Sequence, residues 1–488
     1  MRAVAHPRRL ASVALLGAAA ALWTAQPGQA QGFSVYEHGS CAMARAGATV
    51  AAPCNDGSAV FYNPAGIAGK KGATISLGTT VVAASGEWRP ETGNSSELQN
   101  DPILVPHGYL TYGLNEKLAV GLGLYVPYGL GTKWPTKDFL GRFLGYDNSL
   151  QSIYIQPTIA YQLSDKLSVG GGLTYVMGKI EINQRLDVSE QVTQLGQAQV
   201  PFTVLGAPVG SDFADGKLEG DGTGFGANFG VHFKATDRLS FGVKYLTKVK
   251  IDYDGTADFT AIALQNAADP TNWTLKAALS PQAPAGTPIR LIPAGVGVTM
   301  DQALKAGIAA QFIGTGKLVD QSIKATLSMP AQLIAGIAFQ AAPKLLLLGD
   351  YQWTQWSSFK EIKVEFETYT STRYELYKDT HAFRVGADYA FSDAFVLRAG
   401  ALMHSAAAPD ETVTPLLPEG NRKEATIGAG FHLTKAIELN AAYQYLKQDD
   451  REGRVREAAA GAQPTTALNS GTYSFSGNLF GATLTFHF

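Results

Sequence analysis

The stretch "HAFRVGADYAFSDAF", residues 381–395, decides the fold. Phe383, Val385, Ala387, Tyr389 and Phe391 occupy alternate positions, and Arg384, Gly386 and Asp388 fall between them. A period of two is the signature of a β-strand, whose successive side chains point to opposite faces. The strand ends in "FSDAF" (391–395), a tight polar turn between apolar strand ends. The same kind of turn recurs as "LNEKL" (114–118), "LSDKL" (163–167), "ATDRL" (235–239), "AAPKL" (341–345) and "LTKAI" (433–437). Each is short and rich in turn formers.

Between these short turns lie long connections, at about 85–106, 127–148, 184–221, 257–321, 367–378, 405–421 and 449–475. Long and short take turns along the chain. Outer-membrane barrels show this asymmetry, with short periplasmic turns and long extracellular loops. Seven long and six short connections join fourteen strands, an even number that returns the chain to its starting side. The expected fold is therefore all-β: a 14-stranded antiparallel transmembrane barrel spanning residues 72–488. Lipid cannot satisfy unpaired backbone groups, so the sheet must close. "IELNAAYQYL" (437–446) and the terminal "NLFGATLTFHF" (478–488) repeat the alternation, with Phe480, Leu484, Phe486 and Phe488 outward and Thr483, Thr485 and His487 inward.

Composition agrees. Only 16% of residues are charged, against about 25% in soluble domains. The chain holds 53 Gly, 20 Tyr and 23 Phe, and its Gly-x-Gly pairs ("VGLGLY", "GTGFGANFG") are expected to relieve crowding on the inner face. A net charge of -2 gives no electrostatic case for nucleic acid. The first residues, with Arg2, Arg8 and Arg9 before an apolar run from Leu10 to Leu22 and small Gly28 and Ala30, read as a signal peptide over 1–30, with the mature chain starting at Gln31. Trp134, Trp353, Trp356, Tyr125 and Tyr128 lie near strand ends and are expected in the interfacial aromatic girdles.

Motifs for catalysis are absent. There is no G-x-S-x-G elbow or P-loop, and no histidines pair at metal-ligand spacing. His381, His404, His432 and His487 are expected to line the lumen. No catalytic residue, metal or cofactor is assigned, and the protein is not expected to be an enzyme. Cys41 and Cys54 can close a short loop in an oxidising periplasm, or remain two free small residues.

Residues 31–71 are small, Gly/Ala-rich and punctuated by turns, and too few to build their own core. A lumen that fourteen strands make too wide for side chains to fill is the available place to bury them. "QGFSVYEHGSCAMARAGATVAAPCNDGSAVFYNPAGIAG" resembles the N-terminal hatch of the FadL family of outer-membrane long-chain fatty acid and hydrocarbon transporters. The resemblance is carried by Gly32-Phe33, Arg45-Ala46, Asn55-Asp56 and Asn63-Pro64-Ala65. It continues through "YGLGTKW", "KVKIDYDG", "SMPAQL", "QWTQWSSF" and "HAFRVGADY".

The resemblance implies uptake of hydrophobic small molecules by facilitated diffusion. Substrates would gather in an apolar groove on the long loops at 184–221 and 257–321, move to a pocket touching the hatch, and leave sideways near a kinked third strand. It places Leu205, Val209, Leu275, Ile308 and Phe312 in the groove. It places Phe33, Asn63, Pro64 and Ala65 in the hatch, with Asn63 as a shaping residue, and Val126, Pro127, Tyr128, Gly129 and Ile182 around the pocket and wall opening. Pro127 removes a ladder donor, which suits either a break in pairing or the start of a loop. Ile182 follows Lys179-Ile180-Glu181, where fatty-acid members carry a basic residue; with the apolar Val126 this favours a neutral hydrocarbon, a fatty acid remaining open. Other expected partners are outer-membrane lipid, lipopolysaccharide and the barrel assembly machinery, with the protein a monomer. A general porin and a surface adhesin are the alternatives.

Overall fold

A computed structural model describes residues 33–91, 94–137, 139–453 and 470–488; the expected signal segment lies outside these. Fourteen antiparallel strands close into one barrel. They are β1 (Ala73–Pro90), β2 (Ile103–Gly113), β3 (Leu118–Lys133), β4 (Asp147–Gln162), β5 (Leu167–Asp187) and β6 (Asp212–Lys234). β7 runs as Leu239–Leu246 and Val249–Ala261, and β8 as Gln321–Met329 and Gln332–Ala342. β9 (Leu345–Thr354, then Glu361–Phe366) is followed by β10 (Thr370–Tyr374, then Thr380–Ser392), β11 (Phe395–His404), β12 (Arg422–His432), β13 (Ile437–Gln448) and β14 (Gly471–His487). The barrel closes where β1 pairs β14 from Thr74↔His487 to Pro90↔Gly471. No helix among the described residues is long and apolar enough to cross a membrane.

The short turns form for local reasons. Asn115 Oδ1 accepts from the backbone N–H of Lys117 and Leu118, both at 2.9 Å, and Ser164 Oγ plays that part for Lys166 and Leu167. Such side-chain bonds replace strand ladder with a turn. The alternation in β10 sorts the side chains as the sequence indicates: Phe383, Val385, Tyr389 and Phe391 are exposed on the outside, and Arg384 and Asp388 are buried inside. With Leu77, Leu173 and Phe225 they give the wall an apolar outer surface, as hydrocarbon demands. His404 lies inside as expected, but His381 is exposed outside, where its Nδ1 lies 2.8 Å from the Tyr351 hydroxyl.

Residues 33–72 fill the lumen. This hatch contains two short helices, α1 (Ser40–Ala44) and α2 (Ala59–Tyr62), and a 3-10 turn at Pro64–Ile67. Cys41 and Cys54 are joined by a disulfide across 13 residues. The glycines of the inner wall explain how backbone packs against backbone here. A Cβ on Gly242 would meet the carbonyl oxygen of Val50 at 2.0 Å, one on Gly170 the carbonyl carbon of Pro64 at 2.5 Å, and one on Gly400 the carbonyl carbon of Arg45 at 2.5 Å. No other residue permits that approach.

Polar contacts then fix the hatch in place. Arg45 Nε donates to Asp388 Oδ1 at 2.8 Å and its Nη2 to Oδ2, while Arg398 Nε reaches Oδ2 at 3.3 Å. Asp350 Oδ2 accepts from the backbone N–H of Thr49 (2.9 Å) and Val50 (3.1 Å). Two buried wall cations rest on hatch rings: Lys244 Nζ lies 3.4 Å from the Phe61 centroid, and the Arg384 guanidinium 4.2 Å from that of Tyr36. Cation–π attraction strengthens when both partners are desolvated.

Candidate functional site: a cavity beside a break in the wall

β2 and β3 pair only from Gly108↔Leu124 to Gly113↔Ala119. Beyond that point Ile103–His107 keep their ladder with β1 alone. The cause lies in β3. Tyr125 pairs Tyr154 and Tyr128 pairs Ser152, so Val126 and Pro127 oppose one residue of β4, a bulge. Pro127 also lacks the N–H that a continuing ladder would use. The strand nevertheless runs on to Lys133, so Pro127 lies within it and does not start the following loop.

The hatch takes the vacant edge. Ser34 bridges Tyr128, Val35 N–H donates to the Pro127 carbonyl at 2.9 Å, and Gly129 N–H donates to the Phe33 carbonyl at 3.0 Å. On the loop side the two chains meet again. Gln99 N–H donates to the Lys133 carbonyl and Asn100 Nδ2 to the Gly131 carbonyl, both at 2.7 Å. The gap in pairing is thus bounded at both ends.

Behind it lies a cavity of about 560 Å³, within the 300–1,000 Å³ range of small-molecule sites. Phe33, Val35, Tyr36 and Glu37 form its hatch side; Ile103, Leu104, Val105, Val126 and Gly129 line it beside the gap in pairing. Leu402, Leu446, Phe475 and Leu479 supply the opposite apolar wall, with His404 and Glu424 among them. Phe33 also anchors an aromatic cluster, 4.7 Å from Trp356, 5.4 Å from Phe359 and 6.2 Å from Tyr128, centroid to centroid.

Of the residues singled out in the sequence, Phe33, Val126 and Gly129 line this cavity and Pro127 shapes its edge. Tyr128 is fully buried, donating its hydroxyl to the Pro330 carbonyl at 2.7 Å. Asn63, Pro64 and Ala65 are elsewhere. Asn63 Nδ2 ties the hatch to itself at the Val50 carbonyl (2.7 Å) and to β6 at the Val231 carbonyl (3.0 Å), and its Oδ1 caps the 3-10 turn through Ala65 N–H. Ile182 borders a separate small cleft with Tyr253 and Ile362.

The expected groove residues need correction. Leu205, Leu275 and Ile308 are buried in a core that the loops build for themselves with Phe202, Trp273 and Met300, and Phe312 packs against it. Only Val209, 62% exposed, faces solvent. The two long loops had enough apolar residues to fold on each other, and burial there is more favourable than display to water. The aromatic girdle is corrected likewise for four residues: Trp134, Trp356, Tyr125 and Tyr128 are buried, whereas Trp353 is half-buried on the outward side of its strand with Tyr351. Sequence reasoning did not find Tyr36, Glu37 or Glu424, whose one signal was inward parity or proximity to Phe33.

The loop segment over the aromatic cluster holds one perturbed acid. Burial pushes the Glu375 carboxyl up from the usual carboxylate range to about 7, with Arg373 opposing. The folded state therefore holds the proton more tightly, and stability falls as pH rises from about 4.5 through 7, by roughly 3 kcal/mol in all. Glu375→Gln is expected to abolish this slope, measured as protease protection of the loop between pH 5 and 8; a slope retained in the variant would assign it to another group.

A family description, outer membrane protein transport protein (OMPP1/FadL/TodX), matches residues 21–488. The chain belongs to this family, whose members are outer-membrane transport channels and not enzymes. A 47 kDa outer membrane protein of Pasteurella multocida is 27% identical over 423 residues, covering 86% of this chain and 87% of the relative. The long-chain fatty acid transport protein of an Escherichia coli O6:H1 strain is 24% identical over 456 residues, covering 90% and 92%. Among solved structures, a Pseudomonas aeruginosa FadL homologue superposes with a TM-score of 0.74 at 21% identity, covering 94% of this chain and 100% of the other. The Pseudomonas putida toluene transporter TodX gives 0.66 at 18%, covering 93% and 99%. The protein is a multi-pass β-barrel of the outer membrane.

Proposed function

We infer that this barrel admits hydrophobic small molecules by facilitated diffusion, and that they leave the cavity sideways, through the window between β2 and β3, into the membrane. The observation that carries this reading is the continuity of the apolar cavity with the unpaired edge of β2. A hatch seated in the lumen leaves no straight path for a large solute, and a hydrophobic molecule gains more from entering lipid than from crossing to water. The names of the fatty acid and toluene transporters among its relatives agree with such a cargo. The bulge, the proline and the hatch strand at Phe33–Val35 together keep the window from zipping shut.

Cells lacking their own carriers, expressing this chain, are expected to take up labelled toluene or dodecanoate faster than cells with an empty vector. Liposomes carrying the purified barrel are expected not to swell in sugar solutions. Swelling without hydrocarbon uptake would instead make the protein a general porin.

A further inference from the structure

The cavity wall includes buried hydrogen-bond acceptors that have no partner. Gln444 Nε2 donates to both Glu37 Oε1, at 2.7 Å, and Glu424 Oε2, at 2.5 Å, so one amide holds two buried carboxyl groups at the cavity's edge. His404 Nε2 lies 3.4 Å from Glu424 Oε1. Turning its Nε2–H to that carboxylate leaves Nδ1 as a lone-pair acceptor. His404 is 5% exposed, and Nδ1 is buried with no hydrogen-bond partner. Across the cavity, on β4, Asn148 Oδ1 is also a buried acceptor without a partner. The guanidinium on this lining, Arg422, belongs to a residue two positions from Glu424 on β12, and Glu419 adds a further carboxyl. Lys133 and Lys179 are exposed at the rim; Lys244 and Arg384 lie behind the hatch rings and do not line the space.

Resting on the hydrophobic-cargo reading, we propose that the cavity selects a hydrophobe whose polar end donates a hydrogen bond, an alcohol or phenol, over one ending in a carboxylate, and that His404 Nδ1 receives that hydroxyl. A carboxylate brings acceptors only. It would leave His404 Nδ1 unmet and set its own oxygens against the carboxyl groups of Glu37 and Glu424. A hydroxyl meets Nδ1 with its proton, while the alkyl or aryl body lies against Leu402, Leu446 and Leu479. A site built to bond a hydroxyl discriminates strongly against a ligand that cannot supply one, because its own buried group is then left unpaired.

The test is equilibrium binding of radiolabelled dodecan-1-ol, dodecanoate and dodecane to the full chain in lipid nanodiscs, corrected against empty discs. Dodecanol is expected to bind about ten-fold more tightly than dodecanoate, a gap of about 1.4 kcal/mol. His404→Phe is expected to lower dodecanol affinity roughly five-fold with dodecane unchanged, the size of one lost hydrogen bond. Glu424→Gln, which keeps the shape and puts an amide donor where a carboxyl stood, is expected to raise dodecanoate binding. Heat-modifiable migration on gels verifies that each variant is a folded barrel, and the wild-type comparison needs no variant. Equal or tighter binding of dodecanoate by the unaltered protein overturns the head-group proposal alone. Absence of saturable binding for all three ligands overturns the hydrophobic-cargo reading beneath it.

Discussion

Deleting Val126 and replacing Pro127 with threonine in the same chain is expected to cut hydrocarbon uptake by about ten-fold or more, equivalent to at least 1.4 kcal/mol on the barrier. The deletion removes the one extra residue between the Tyr125 and Tyr128 registers, and threonine restores the missing N–H. β3 then has every donor and acceptor it needs to continue pairing with Ile103–His107 of β2, which at present bond to β1 alone on that stretch. Pairing there also displaces Phe33–Val35 from the edge they occupy. The barrel should assemble normally, because a regular ladder is easier to form than a bulged one. Uptake at the wild-type rate, in a variant shown to be folded, would mean that substrate does not leave by this window.

The second large effect concerns the lumen. Asp388→Ala is expected to loosen the hatch, read as ion-conducting openings in planar bilayers where the parent barrel is silent. Asp388 stands between Arg45 of the hatch and Arg398 of the wall, all three buried. Its removal leaves two guanidinium groups without their common counter-charge, a loss of about 3–5 kcal/mol for a buried pair broken on one side. Arg45→Met should be milder, since Asp388 then keeps Arg398, which also donates to Asn440 Oδ1 at 2.7 Å. The ordering of the two variants is the diagnostic. If Asp388→Ala conducts no more than Arg45→Met, the ion pair is not what seats the hatch.

Much of the barrel could be read from the chain because its determinants are local. Turns such as Asn115–Lys117 declare themselves within a few residues, and the outward-inward alternation of β10 and β14 needs no partner to be seen. The course of β3 past Pro127 was less legible, because what sustains it is pairing with Phe33–Val35, almost a hundred residues away in sequence. The polar side of the cavity was hidden for the same reason. Glu37, His404, Glu424 and Gln444 come from the hatch and three different strands, and none stands in a motif. The loops misled in the opposite direction. Leu205, Leu275 and Ile308 are apolar residues in segments expected to form an open groove, but apolar side chains in two long neighbouring loops first satisfy one another.

The inner-wall glycines have one more consequence. Gly121 and Gly123 face Val60, Gly170 and Gly230 face Pro64, Gly242 and Gly336 face Val50, and Gly400 and Gly428 face Ala46 and Ala44. Together they make the wall a mould, thinned wherever the plug leans on it. The plug's outline is therefore written twice, once in residues 33–72 and again as a track of missing side chains around the barrel. A plug transplanted from another barrel would meet the wrong track and ride high or tilted, even with its own fold intact. One alanine at a time, the same track becomes a set of adjusting screws: each added methyl lifts the plug at a known point, and the channel's response to that lift can be charted around its circumference.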